Sequence, residues 1–151
     1  MSGARAVRLA TLATCLALAA CGDPGLAGSW EVVDFKRPGI SAMGDAEASL
    51  WLGRTLEVTD STAAMAGDLC AVARITRESL AVRSVEMAFN VMAGDLGIAK
   101  ERVDLLEIEC ARGDLGAGKR LIQLAPDSMM TYWDGVFFVL ARRRGPPRGE
   151  G

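Results

Sequence analysis

The chain has 151 residues, half of them hydrophobic, and a formal net charge of −2. That length supports one domain with one core and leaves no room for a second. Residues 21–141 carry 11 basic and 18 acidic side chains. Because phosphate binding needs clustered Lys and Arg, this composition argues against nucleic acid as a partner.

The first twenty residues have the pattern of an export signal. Arg5 and Arg8 precede an apolar run over residues 9–20, and the segment Leu18-Ala19-Ala20-Cys21 forms a lipobox. As a helix the apolar run would reach roughly 18 Å, short of the ~30 Å needed to cross a bilayer. An ordinary secretory signal is the alternative, but a cysteine directly after the cleavage site favours lipidation.

This pattern resembles the signals of Gram-negative bacterial lipoproteins. The resemblance implies cleavage of the signal peptide 1–20, a diacylglyceryl thioether on Cys21, and a fatty acid such as palmitate on its amino group. Two or three acyl chains anchor a domain firmly, since each buried methylene contributes about 0.8 kcal/mol. Gly22 rather than Asp follows Cys21. We therefore expect a protein on the periplasmic face of the cell envelope, with the outer membrane favoured over the inner membrane.

The cysteines divide into two pairs. Cys15 leaves with the signal and Cys21 is acylated, which leaves Cys70 and Cys110 in an oxidising compartment. A disulfide between them would close a loop of about 40 residues and stabilise the fold by roughly 4 kcal/mol. Two buried thiols or a metal site are the alternatives. The chain contains no histidine, so we expect no metal site.

Apolar alternation and turn residues predict seven or eight strands and two helices. The predicted strands are 29–35, 54–59, 62–66, 71–80, 102–110, 120–124, 129–133 and 136–141. The predicted helices are 42–52, capped by Ser41 and ended by Gly53, and 85–92, capped by Ser84. In the second helix, the side chains expected to face inward are Val85, Met87, Phe89 and Val91.

These elements predict a mainly β, α+β domain over residues 29–141. We expect a small antiparallel barrel-like sheet of seven to eight strands with two short helices and one disulfide. Asp134-Gly135 is the strongest hairpin signal, because a type I′ turn needs positive φ at both central residues. The strand over 136–140 is apolar on both faces, so we expect the core on one side and a helix on the other. Residues 21–28 would form the anchor linker, and 142–151 a disordered basic tail.

Two motifs could carry catalysis or cofactor binding. The segment 113–120 has the spacing of a phosphate-binding Walker A loop, but Arg120 replaces the Ser or Thr that would bind magnesium, and a short strand follows where a helix is needed. Glu107 and Glu109 share one strand face, roughly 6.7 Å apart, but alternation with apolar neighbours favours a solvated face. Without histidine, a nucleophile would lack its usual base. We therefore predict no enzyme, no catalytic residues and no cofactor.

The aromatic residues could line a ligand cavity inside a barrel. The candidate ligand-lining residues are Trp30, Trp51, Trp133 and Phe138. They could equally form an ordinary core, since small barrels are often filled by their own side chains.

Gly28-Ser29-Trp30 at the start of a strand, a later disulfide and a closing aromatic hairpin resemble the lipocalin-like and alkaline-protease-inhibitor-like small β-barrels of Gram-negative periplasms. The resemblance implies sequestration of a ligand or inhibition of an enzyme, and it assigns no site residue. We expect a non-catalytic lipoprotein that binds a small apolar ligand or a protein partner. One alternative is an inhibitor of a protease or lysozyme, acting through residues 23–30 or 113–119. Another is a structural component of envelope assembly.

Overall fold

A computed structural model describes residues 25–145 as one closed antiparallel barrel. Each strand pairs with its neighbours in sequence, and the last strand returns to the first. The strands are β1 (Gly28–Lys36), β2 (Thr55–Val58), β3 (Thr62–Met65), β4 (Asp68–Ala81), β5 (Arg102–Gly113), β6 (Arg120–Ala125), β7 (Ser128–Trp133) and β8 (Val136–Arg142). The helices are α1 (Asp45–Ser49) and α2 (Val82–Phe89). The predicted fold class is confirmed.

Both helices differ from their predicted bounds. Helix α1 is much shorter than 42–52, with Gly44 at its N-cap, because the Ser41 hydroxyl donates to the Met43 carbonyl at 2.6 Å instead of capping the helix. Helix α2 begins directly after β4 at Val82 and ends at Phe89, three residues earlier than predicted at both ends. Ser84 therefore lies inside it, and Asn90, in a left-handed conformation, ends it. Met87, predicted to face inward, is 68% exposed, because the helix turns Val85 toward the sheet.

The barrel has two ends, which we name by their connections. At the terminal end, β1 begins, β8 finishes and α2 follows β4; at the turn end lie α1 and the β7–β8 turn. Asp134 and Gly135 in that turn have φ of 49° and 86°, which confirms the predicted type I′ hairpin. A Cβ on Gly135 would lie 2.4 Å from Cα of Ser41, so only glycine fits there.

The barrel interior is filled by buried apolar side chains from every strand. Its bulkiest fully buried members are Trp30, Leu56, Met65, Ile108, Leu115, Leu121, Met129, Phe138 and Leu140. In β8, Phe138 points into this interior, whereas Phe137 points outward and contacts Phe89 of α2, with ring centroids 5.3 Å apart. The prediction that this strand is covered on both faces is therefore confirmed.

Cys70 and Cys110 form the predicted disulfide, which joins β4 to β5 with the two Cα atoms 5.4 Å apart. The lipobox, Cys21 and the signal peptide lie outside the described residues, as do residues 146–151. Within residues 25–145, no helix is long and apolar enough to span a bilayer.

Arg142 joins the two ends of the described chain. Its guanidinium lies 4.1 Å above the Trp30 ring and donates to the carbonyls of Ala27 and Gly25 at 2.8 and 2.5 Å. The Trp30 indole N–H in turn donates to the Leu26 carbonyl at 2.9 Å. Arg142 is the last residue of β8, so the barrel extends one residue into the predicted tail 142–151.

Candidate functional site

A groove of about 560 Å³ lies outside the barrel, between α2 and the outer face of β5, β6 and β7. We call it the α2 groove. Most of its lining is apolar, and the lining residues are Leu80, Ser84, Val85, Ala88, Phe89, Val103, Leu105, Gly116, Ala117, Lys119, Arg120, Ile122, Met130, Tyr132, Trp133 and Asp134.

Strand register builds the floor of the α2 groove. Leu105 pairs with Ile122, and Ile122 pairs with Met130, so three apolar side chains lie side by side on the outer face. Helix α2 covers part of this row with Val85 and Phe89, which lie one helical turn apart. Ile122 and Met130 are 4% and 0% exposed and form the buried base of the groove, whereas Leu105 is partly exposed.

The turn end of the groove holds its aromatic and charged groups. The rings of Phe89 and Tyr132 are 4.8 Å apart, and Trp133 is 39% exposed. Arg120 is bound to Glu107 with Nε and Oε1 3.2 Å apart. The Lys119 ammonium is exposed, and no hydrogen bond or ion pair to it is found within residues 25–145. The arrangement can hold an apolar body with a polar head beside Lys119.

Three of the four predicted ligand-lining aromatics lie together in the packed core, and the fourth lies elsewhere. Trp30 and Phe138 are fully buried in the barrel interior, and Trp51 stacks on Phe138 with ring centroids 4.8 Å apart. These three pack against other side chains of the core. Only Trp133 lines the α2 groove.

The two carboxylates considered for acid–base chemistry are both engaged by arginine. Glu109 accepts two hydrogen bonds from Nη2 of Arg74, at 2.6 and 2.8 Å, and this pairing raises the pKa of Arg74 above its ordinary value. Glu107 binds Arg120. Both lie on the outer face of β5, as expected for a solvated strand face. Across residues 25–145, no three acidic or cysteine side chains come close enough to hold a metal ion.

The glycine-rich segment 113–120 is a packed connection between β5 and β6. Its 3-10 turn, Gly116–Gly118, leads directly into β6 and not into a helix. Leu115 and Ala117 are buried in the core, and the Thr131 hydroxyl donates to the Ala117 carbonyl. This is one of the two segments considered for enzyme inhibition. The described part of the other, residues 25–30, is held down by Arg142.

The groove floor can be recognised in the sequence, although the strands alternate less regularly there. Three strands carry adjacent apolar pairs, namely Leu105-Leu106, Leu121-Ile122 and Met129-Met130. One member of each pair faces the barrel interior, and the other faces outward. Apolar residues on both faces require a cover on the outside, and the cluster that includes α2 covers Ile122 and Met130 but leaves Leu105 partly exposed.

Comparison with known proteins gives no relative. No family model matches the chain, and neither a curated protein nor a solved structure matches it.

Proposed function

We propose that the protein is a non-catalytic binding protein of the cell envelope that holds a small apolar ligand in the α2 groove. The observation that carries this proposal is an apolar groove of about 560 Å³ on the outside of a packed barrel. Ligand pockets in proteins range over roughly 300–1,000 Å³ and are mostly apolar with a few polar groups. The α2 groove has both properties.

The chemistry of the lining favours an elongated apolar molecule with one anionic head, such as a medium-chain fatty acid. The exposed part of the apolar lining, from Phe89, Leu105 and Tyr132, would take the apolar body, because removing apolar surface from water contributes about 25 cal/mol per Å². Lys119 would bind the head, since a charge-assisted hydrogen bond is stronger than a neutral one.

We further propose that acyl chains on Cys21 anchor the protein to the periplasmic face of the outer membrane. Cys21 precedes Gly25 by four residues, a distance that an extended chain spans with at most about 14 Å. The terminal end of the barrel would therefore lie beside the membrane. Labelling with palmitate tests the anchor: incorporation that is lost in Cys21→Ser supports it, and an unlabelled wild-type chain contradicts it.

Inhibition of a protease or lysozyme has less support. An inhibitor of this kind needs an exposed segment that enters the active site of its target. Leu115 and Ala117 tie the segment 113–119 to the core, and Arg142 ties the start of β1 to the barrel. These contacts favour ligand binding over inhibition.

Filling the groove tests the proposed function. Ala88 is an exposed residue of α2 that lines the groove, so Ala88→Trp should block it without removing a core contact. Met87, its exposed neighbour, is outside the lining, and Met87→Trp is the matched control. Each variant is made in a chain whose mature form starts at Gly22 and therefore lacks Cys21. This chain is exported to the periplasm and purified without detergent.

Native mass spectrometry then measures the mass of any molecule that remains bound to each variant. Wild type and Met87→Trp should carry a ligand of a few hundred daltons, and Ala88→Trp should lose it. Equal ligand retention by both variants would place the ligand elsewhere and contradict the proposal. A co-purifying protein in place of a small molecule would favour the protein-partner alternative.

A further inference from the structure

Strand β4 has a long edge that no other strand covers. It pairs with β5 along nearly its whole length, Cys70–Ala81, but with β3 only over Asp68–Ala71. The next contact on that side is the last one, a hydrogen bond from the Val72 N–H to the Ser61 carbonyl at 2.9 Å. In the part of the chain that the structure describes, no strand pairs with this side of residues 73–81.

An uncovered edge of this length is a template for another strand. Proteins usually protect such an edge with a proline, a short strand, a covering loop, a β-bulge or charged side chains. Residues 73–81 contain no proline, and Ile75 on the barrel side is 38% exposed. The charges of Arg74, Arg77 and Glu78 oppose pairing with an unmatched strand, so a strand that binds this edge must carry complementary charges.

We propose that the edge pairs antiparallel with the same edge of a second copy of this chain, about a two-fold axis at Thr76. Val72 limits the free edge on one side, and α2, which begins at Val82, limits it on the other. The free edge between these limits is 73–81, and within it an axis at Thr76 is the one that opposes Arg74 to Glu78 of the partner subunit. Symmetry then opposes residue 73 to 79, 74 to 78, 75 to 77, and Thr76 to its own copy.

This register places complementary side chains opposite each other. Arg74 faces Glu78 of the partner subunit, and the two-fold axis repeats that pair. Opposite charges and Thr–Thr pairs are favourable cross-strand neighbours. Glu78 forms no ion pair within the described residues, and Arg74 already binds Glu109 on β5. Each Arg74 would thus lie between two carboxylates. The order Arg-x-Thr-x-Glu is complementary to itself, which favours a second copy over an unrelated peptide.

A cysteine on the axis tests the pairing in the full-length chain in its own membrane. Directly opposed residues have Cα atoms roughly 4.5–5.5 Å apart, within the range of a disulfide. Thr76→Cys should therefore form a cross-linked dimer on a non-reducing gel. Ser79→Cys is the control, because its two copies would be about 20 Å apart. Absence of a dimer for Thr76→Cys, equal dimer for both variants, or cross-linking to another protein would overturn the proposal.

A charge swap in the Thr76→Cys background tests the register. Glu78→Arg alone opposes two arginines, and Arg74→Glu alone opposes two glutamates, so each should reduce the cross-linked dimer about tenfold. Co-expression of the two variants with different tags restores both opposite-charge pairs. The mixed dimer should return to within about twofold of the parent, which also shows that both variants fold. If either single change leaves the amount of cross-linked dimer unchanged, or if co-expression does not restore it, the proposed register is wrong.

Discussion

Replacing Arg142 by Met should destabilise the barrel by about 2.5 kcal/mol. The guanidinium donates to the carbonyls of Gly25 and Ala27, and each such bond contributes about 1–1.5 kcal/mol at a partly exposed site. Its stacking on Trp30 adds about 0.5–1 kcal/mol. We use the lower values because Nε of Arg142 is buried without a hydrogen-bond partner. Met retains an aliphatic side chain, so the loss of stability measures the contribution of the guanidinium group.

Thermal unfolding followed by circular dichroism measures this loss. For a domain of this size, about 2.5 kcal/mol corresponds to a melting temperature lower by roughly 10 °C. Arg144→Met is the control, because Arg144 is exposed and the same charge is removed. That variant should melt within about 2 °C of wild type, since a surface change usually has an effect within ±0.5 kcal/mol. Equal melting temperatures for the two variants would refute the role given to Arg142.

Three further changes probe the disulfide, the hairpin and the groove. Replacing Cys70 and Cys110 together by Ala should lower the free energy of unfolding by about 4 kcal/mol, and an unchanged urea midpoint would contradict this. Gly135→Ala should lower the free energy of unfolding by more than about 2 kcal/mol, because its Cβ would clash with the backbone of Ser41. Gly53→Ala, also at positive φ but with no atom near the added Cβ, should lower it by about 1 kcal/mol. Equal shifts in melting temperature for the two variants would contradict the steric explanation. Lys119→Glu should weaken binding of dodecanoate about tenfold in calorimetry and leave dodecanol unaffected; equal weakening of both would show that Lys119 does not bind the head.

The barrel could be predicted from the sequence because its signals are local. Asp134-Gly135 fixes a hairpin through backbone conformation alone. Alternation identifies the strands, since successive side chains point to opposite faces. The bounds of α1 failed because tertiary contacts hold Ser41: its backbone packs against Gly135, and its hydroxyl binds Met43.

The candidate site could not be predicted in the same way, because it depends on which elements meet. Alternation shows that Trp30 and Phe138 face one side of their strands, but not whether that side encloses a cavity or a packed core. The Arg, Gly and Pro residues that follow Ala141 predict a tail that includes Arg142. Its contacts with Trp30 exist only because β8 closes the barrel against β1. The α2 groove likewise depends on where α2 crosses the sheet.

The most direct measurement of the central claim uses the isoleucine methyl groups as reporters in an NMR titration. The chain has five isoleucines, of which Ile122 lines the α2 groove and Ile108 is buried inside the barrel. Added dodecanoate should shift the δ1-methyl signal of Ile122 and leave that of Ile108 unchanged. A shift of Ile108 without Ile122, or no shift of either at millimolar dodecanoate, would contradict a ligand site on the outer face of the barrel.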